Sequence, residues 1–169
     1  LSATSGNGAI TQTGALTVTG TSALNAGTGD ITLNNATNNF AGAVSSTGAN
    51  VSLTDGTGGL VLSATSATGT LSVTSTGGAI TQVSQNQSDA ITAVGGATFT
   101  ASNGATPETR YDVTLTNPYN DFGILNVTGN AVQVSDRNDV TVALNTTGGT
   151  TLSAAGSLTV SGTVSGTGS

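Results

Sequence analysis

The chain has 169 residues, of which 35% are hydrophobic and 3% aromatic, and it carries a net charge of −6 with only two basic residues. So few apolar side chains cannot fill a wide, roughly spherical core, although they can fill a narrow one. Two basic residues neutralise too few phosphates to bind nucleic acid or an anionic membrane surface. No apolar run is long enough for insertion into a membrane.

Residue types with strong chemistry are scarce. Cys and His are absent, which excludes a disulfide framework and thiolate metal sites and removes the usual members of nucleophile–base pairs. Charged residues are only 6% of the chain and Thr and Val are abundant, unlike a disordered segment. Absent Cys with very low Lys is typical of an extracellular or cell-surface bacterial protein. The start at Leu1 without a signal peptide suggests a fragment of a longer protein.

Short alternating segments return about every 20 residues. Ile31/Leu33 and Val51/Leu53 have the period of a strand with one buried face, and the Asn, Gly, Ser and Asp between them are turn formers. One series of strand centres lies near Ile10, Ile31, Val51, Leu71, Ile91, Val113, Val132 and Leu152. A second series, half a period away, lies near residues 42–44, 60–62, 80, 99, 124–127, 140–142 and 158–160.

The registration of these segments decides the fold class. Equivalent residues return in each period, as they do when stacked coils bury their inward faces against their neighbours. Strands of a sandwich or barrel have no reason to repeat one another, and no window has apolar residues at helical spacing. The sequence therefore predicts an all-β parallel β-helix (β-solenoid) of about 20 residues per coil and about eight coils, with residues 1–169 as a single segment.

A longer internal repeat overlies the coils. Residues 8–12 (Gly-Ala-Ile-Thr-Gln) recur at 78–82, and Val51–Asp55 recurs in altered form as Val132–Asp136. The later copies are offset by about 81 residues. At 20 residues per coil, this offset predicts that a unit of four coils has been duplicated.

Two segments interrupt the rhythm. Residues 101–110 lengthen one coil and contain Pro107, which cannot donate to a strand ladder, so this segment is predicted to loop outward. Residues 117–121 form a second irregular turn, which also contains a proline. Because aromatic residues are rare here, a glycan or receptor site is most plausible on the 101–119 loops, at Tyr111, Pro118 and Tyr119.

Paired carboxylates are the candidate catalytic groups. The nearest pairs are Asp136 with Asp139, which have Arg137 between them, and Asp112 with Asp121. Asp is also favoured in turns, where it bonds its own backbone. A polysaccharide lyase or glycosidase on a β-helix needs carboxylates or basic residues clustered on one face, and no such cluster is evident. We therefore predict no enzyme activity, no catalytic residues and no cofactor.

Metal and phosphate sites have weak support. The stretch Asp55–Gly59 (Asp-Gly-Thr-Gly-Gly) faintly resembles the calcium-binding nonapeptide of β-rolls but lacks its full pattern. Neither a Lys nor a helix follows the glycines, as a phosphate loop requires. We interpret this stretch as a turn whose glycines supply positive φ, and we predict no metal site.

Thr and Asn patterns point to the surface. Thr-x-Thr pairs at 17/19, 98/100 and 114/116 are what an ice-binding solenoid face carries, but they occur in only some coils, so we interpret them as outward residues of solvated strands. The asparagines at 34, 35, 38 and 39 are predicted to form side-chain ladders between coils. Sequons for glycosylation of a secreted protein occur at Asn35, Asn50, Asn86, Asn126 and Asn145.

A family resemblance rests on residues 29–44 (Gly-Asp-Ile-Thr-Leu-Asn-Asn-Ala-Thr-Asn-Asn-Phe-Ala-Gly-Ala-Val) and 49–55 (Ala-Asn-Val-Ser-Leu-Thr-Asp), with weaker copies at 111–136. They resemble the repeats of filamentous haemagglutinin-type large exoproteins, secreted adhesins of Gram-negative bacteria exported by two-partner secretion. The resemblance covers most of the chain as a pattern and implies a right-handed parallel β-helix shaft at the cell surface. It implies no catalytic residues. The family's N-terminal secretion domain is not present, as expected of an internal fragment.

The function predicted from the sequence is structural. We expect the rigid shaft of a secreted or surface-attached bacterial adhesin or fibre. Its partners would be neighbouring repeats of the same chain or other copies, because open β-edges pair with other chains and can build filaments. The alternatives are a glycan- or receptor-binding module built on the 101–119 loops, an ice-binding face, and a carbohydrate-active β-helix enzyme.

Overall fold

The computed structural model describes residues 1–165, and nearly all of its regular structure is β-strand. The first sheet contains β1 (Ser2–Thr4), β4 (Ser22–Asn25), β7 (Val44–Gly48), β9 (Leu60–Ala67), β11 (Ile80–Gln82), β14 (Val113–Leu115), β16 (Val132–Asp136) and β18 (Thr150–Ala154), with β12 (Ile91–Ala93) paired to β9. The second sheet contains β2 (Ile10–Thr11), β5 (Ile31–Leu33), β8 (Val51–Asp55), β10 (Leu71–Ser75), β13 (Ala97–Ala101), β15 (Ile124–Gly129), β17 (Val140–Thr146) and β19 (Leu158–Val164). A short pair, β3 (Thr17–Val18) with β6 (Asn39–Phe40), and a 3-10 turn at Gln87–Asp89 complete the elements.

Successive strands of each sheet come from successive coils, because the chain crosses from one sheet to the other and back. The strands pair in parallel, so that Val51 lies beside Ile31 on one side and Leu71 on the other. This arrangement is a β-solenoid of eight coils about 20 residues apart, which confirms the predicted fold class. Within residues 1–165, no helix has the length and apolar character to cross a bilayer.

The core is a column of aliphatic side chains between the two sheets. Burial alternates along each strand, because successive side chains point to opposite faces. In β8, for example, Leu53 is 1% exposed, whereas Ser52 and Thr54 turn outward. Since the strands pair in register, each buried residue stacks on its equivalent in the next coil. A few side chains per coil therefore suffice, which explains how a chain with few hydrophobic residues folds.

All three phenylalanines are buried in this column. Phe99 and Phe122 meet edge to face, with ring centroids 5.8 Å apart and ring planes at 81°. Such a contact is worth about 0.5–1.5 kcal/mol beyond the area that the rings bury. The few large side chains of the sequence are therefore spent on the interior of the solenoid.

The two strand series of the sequence change sheets partway along the chain. Ile10, Ile31, Val51 and Leu71 lie in the second sheet, but Val113, Val132 and Leu152 of the same series lie in the first. The cause is a lengthened fifth coil, in which residues 83–90 follow β11. Ile91 consequently pairs with Thr65 at the end of β9 and not with β10. A constant period of 20 residues therefore assigns the later strands to the wrong sheet.

The long internal repeat spans three and a half coils, so the prediction of four coils is wrong. β5 is the second strand of its sheet, and its copy β14 is the sixth strand of the other sheet. The same displacement relates β2 to β11 and β8 to β16. The extra half coil places each copied strand in the opposite sheet. The insertions at 83–90 and 103–109 use up the residues that a constant period counts as the remaining half coil.

Two corner glycines are required by the approach of neighbouring backbones. A Cβ atom at Gly56 would meet the carbonyl oxygen of Ala36, which lies in the preceding coil, and a Cβ atom at Gly42 would lie 2.5 Å from the carbonyl carbon of Gly20. Only a residue without a side chain permits this contact. Part of the high glycine content is therefore dictated by the stacking of the coils.

Candidate functional surfaces

The acidic residues Asp136 and Asp139 serve the stacking of the coils. Asp136 ends β16 and is buried, and its carboxylate accepts N–H groups from Phe122 and Asn138, both at 2.9 Å. Asp139 accepts the N–H of Ser157 in the next coil at 2.6 Å. Backbone donors thus occupy the carboxylates that the sequence offered as a catalytic pair.

Asp112 and Asp121, the second candidate pair, lie at opposite ends of β14. Asp112 precedes the strand and accepts the N–H of Ala131 at 3.0 Å. Asp121 follows it and forms an ion pair with Arg137 at 2.6 Å. The fold therefore does not bring these two carboxylates together, and it pairs Arg137 with an acid of the preceding coil.

The Asp55–Gly59 turn, the candidate calcium loop, uses its carboxylate internally. The Asp55 side chain is buried and accepts the N–H groups of Phe40 at 2.8 Å and Thr57 at 3.2 Å. The two glycines that end the turn have φ of 87° and 100°, which glycine adopts without strain. Among the described residues, no group of three or more His, Cys, Asp or Glu side chains could hold a metal ion.

The burial of Asp55 makes a prediction about pH. Burial raises the pKa of Asp55 above its ordinary value of 3.8, although hydrogen bonds from Phe40, Thr57 and Gly59 oppose the rise. Because the folded-state pKa is the higher one, Asp55 contributes stability that is fully present below the unfolded-state pKa and is lost as pH rises through the folded-state pKa. We expect the wild type's advantage over Asp55→Asn in unfolding free energy to shrink as pH rises from about 3 to about 7. Urea unfolding at several pH values measures this difference, and a difference independent of pH would contradict it.

A buried amide pair, which the sequence did not reveal, joins the fifth and sixth coils. The Asn120 and Gln82 side chains exchange two hydrogen bonds, at 2.9 and 3.1 Å. Asn120 also donates to the carbonyl of Leu115 at 3.2 Å and accepts the N–H of Ile91 at 2.9 Å. All of the hydrogen-bonding groups of this buried amide are therefore paired with the protein, as buried polar groups require.

Asn38 repeats this arrangement in the first copy of the long repeat. It exchanges two hydrogen bonds with Gln12, at 2.8 and 2.9 Å, and donates to the carbonyl of Leu33 at 3.1 Å. Asn35 instead accepts the N–H of Thr37 within its own turn. The prediction that these asparagines stack on one another as a ladder is wrong, because glutamine and backbone groups are their partners.

A side-chain ladder does exist at another corner. The Asn50 side chain donates to Asp30 in the preceding coil at 3.0 Å and accepts the N–H of Thr70 in the next coil at 3.0 Å. A glycan on the Asn50 sequon would disrupt this ladder. The sequon asparagines Asn86 and Asn126 are exposed.

Residues 102–110 form a short hairpin between β13 and β14, closed by an antiparallel bridge between Ser102 and Arg110. The hydroxyl of Ser102 (2.5 Å) and the guanidinium of Arg110 (2.9 Å) both bond the carboxylate of Glu108 and hold its pKa below the usual range. Arg110 also donates to the backbone and side-chain oxygens of Asn145, at 2.9 and 2.8 Å. The base of the hairpin is therefore fastened to the seventh coil, while residues 104–109 are exposed.

The two tyrosines of the candidate glycan site lie on either side of β14 and do not converge. Tyr111 precedes the strand and packs against the core. Tyr119 follows the strand in a turn and is 44% exposed. A cavity of about 460 Å³ lies elsewhere, at the first coil, between Leu1, Ile10 and Leu33.

The threonine pairs belong to different surfaces. The pair at 98/100 points outward from the second sheet, the pair at 114/116 lies along the outward side of the first sheet, and the pair at 17/19 begins in β3. In the second sheet, the second threonine of the 98/100 pair lies directly beside Thr74 and Thr128. The register thus joins into one row threonines that look scattered in the sequence, because the number of residues between coils varies.

These coils define a β-solenoid repeat protein whose buried polar residues tie one coil to the next. Residues 1–47 and 48–128 match the family described as repeats of unknown function (DUF5649), and the chain belongs to this family. The two matched stretches end at Thr47 and Thr128, which are related by the offset that relates Val51 to Val132, so the family's repeat follows the internal duplication. Comparisons with curated proteins and with solved structures found no match.

Proposed function

We propose that this chain is a shaft segment of a secreted or surface-attached bacterial fibre or adhesin, and that it acts without catalysis by converting chain length into reach. The observation that carries the proposal is the continuous core, in which one column of buried apolar residues runs from Leu24 to Leu144 through the stacked coils. Eight coils at a strand spacing of about 4.8 Å give a rod roughly 40 Å long. Each further coil would lengthen the rod by the same step.

The polar corners support a stiff rod. The Asp30–Asn50–Thr70 ladder and the buried amide pairs join one coil to the next along the axis. Bending would stretch these bonds on one side of the rod. Hydrogen bonds in series with the strand ladders therefore resist bending and pulling, the loads that a shaft bears.

Self-association is the partner interaction we propose for this shaft. In the first coil Leu1 is 46% exposed, and in the last described coil Val160 is 50% exposed, although both belong to the core column by position. A second copy stacked end to end would continue both sheets and cover these side chains. Open strand edges pair readily with other chains.

Electron microscopy of the concentrated protein tests this proposal. We expect thin, smooth fibres that lengthen with concentration and show an axial repeat of about 4.8 Å. Val160→Lys, which places a charge at an inward position of the end strand, is expected to leave single rods, because inward charges block edge pairing. The neighbouring Thr159→Lys, on the outward side, is the matched control and should still form fibres. A wild type that remains a compact monomer at high concentration, without an axial repeat, would refute the proposal.

A further inference from the structure

One side of the solenoid carries two straight rows of short hydroxyl side chains. They are the outward residues of the second sheet, and we call them the hydroxyl face: Thr11, Thr32, Ser52, Ser72 and Thr98 in one row, and Thr54, Thr74, Thr100 and Thr128 in the other. Each member pairs in register with the next, without a bulge. The first sheet, by contrast, has a register shift between Val44 and Ser46. The hydroxyl face is therefore the regular side of the molecule.

The hydroxyl groups of this face are free to bond an external surface. Within residues 1–165 they have no hydrogen-bond partner in the protein, whereas the hydroxyl of Ser63 on the first sheet donates to Asp89 at 2.8 Å. The strands of the second sheet contain one ionisable side chain, Asp55, and it is buried. The net charge of −6 is thus carried elsewhere. The face presents hydroxyls and threonine methyls on an uncharged surface.

We propose that the hydroxyl face binds ice. Hydroxyls of neighbouring strands lie about 4.8 Å apart, and outward residues of one strand lie about 6.6 Å apart. These spacings are near the distances between oxygen atoms on the flat faces of an ice crystal. Water molecules held at such hydroxyls are already arranged in an ice-like layer. Little additional order has to be created when the face meets ice, which is the general benefit of preorganisation.

The chemistry of the face favours ice over other flat solids. A crystalline polysaccharide is gripped by aromatic rings that stack on its sugars, and no Tyr or Phe lies on the hydroxyl face. A mineral containing calcium requires carboxylates, and the carboxylate of Asp55 points inward. A neutral, regular array of hydroxyls and methyls is left, and it is complementary to a surface made only of ordered water.

Ice growth in the presence of the full chain tests this proposal. We expect the wild type to inhibit ice recrystallisation and to shape growing crystals. Thr100→Tyr places a bulky ring between Thr74 and Thr128 and is expected to raise the concentration needed by about tenfold or more. The matched control is Thr114→Tyr, the same substitution at an outward position of the first sheet, which should behave as wild type. If Thr100→Tyr fails to fold by circular dichroism, Ser72→Tyr in the other row replaces it.

Three results would overturn the proposal. The first is a wild type without effect on ice growth, and the second is equal behaviour of the folded Thr100→Tyr and Thr114→Tyr variants, since ice would then not be bound by this face. The third is retention of the wild type on crystalline cellulose without any effect on ice, which would assign the face to a polysaccharide. The shaft is tested separately by fibre formation, so failure of one proposal is distinguishable from failure of the other.

Discussion

Phe99→Ala is expected to lower the free energy of unfolding by about 3–5 kcal/mol, the usual cost of truncating a buried phenylalanine. Phe99 is fully buried in the core column, and the neighbouring coils cannot collapse into the cavity because backbone hydrogen bonds fix their spacing. The substitution also removes the edge-to-face contact with Phe122. Urea unfolding followed by circular dichroism measures the loss.

A double-mutant cycle separates the ring contact from the cavity. The coupling between Phe99→Ala and Phe122→Ala is expected to reach about 0.5–1.5 kcal/mol, the value of an aromatic pair. Tyr119→Ala is the control, because this side chain is 44% exposed and its loss should change stability by about 0.5 kcal/mol or less. Equal costs for Phe99→Ala and Tyr119→Ala would contradict the buried position of Phe99.

The fold class was predictable because its signal is local and repeated. The alternation of Val51, Ser52 and Leu53 defines a strand with one buried face, and its return after one coil defines stacking. Neither inference requires knowledge of distant contacts. In a solenoid each coil touches mainly its neighbours, so a local pattern repeated in sequence is sufficient to specify the architecture.

The phase of the coils was not predictable from the period. The insertion at 83–90 and the hairpin at 103–109 lengthen the fifth and sixth coils, and strands that follow them fall in the opposite sheet from the one that a constant period assigns. Nothing in a run of polar residues says whether it replaces a strand or is added between strands. For this reason the duplication looked like four coils and is three and a half.

The polar groups show the same limit. Gln12 and Gln82 end the repeated Gly-Ala-Ile-Thr-Gln segments, but only the fold shows that both bond buried asparagines. The hydroxyl face likewise depends on the register that sets Thr100 beside Thr74 and Thr128. The repeated glutamine was the available signal for the amide pairs. The hydroxyl face had none, because its members are separated by unequal numbers of residues.

Asn120→Ala is expected to destabilise the protein by about 3 kcal/mol or more, because each buried polar group left without a partner costs about 1–3 kcal/mol. The substitution leaves the side chain of Gln82, the N–H of Ile91 and the carbonyl of Leu115 unpaired in the interior. Denaturant unfolding measures the overall loss. Hydrogen exchange at the Ile91 amide reports the loss locally, and it should accelerate even under native conditions.

Two further variants show whether the cost arises from the buried network. Asn126→Ala removes the same side chain from an exposed position and should be nearly neutral. Asn38→Ala, at the equivalent position of the first copy, breaks the matching bonds to Gln12 and Leu33 and should cost a similar amount. Similar costs at both copies would show that the duplicated unit carries its own means of joining coils, independently of the sheet on which it lies. A cost for Asn120→Ala no greater than that of Asn126→Ala would show that water replaces the amide, and the network would then be dispensable for stacking.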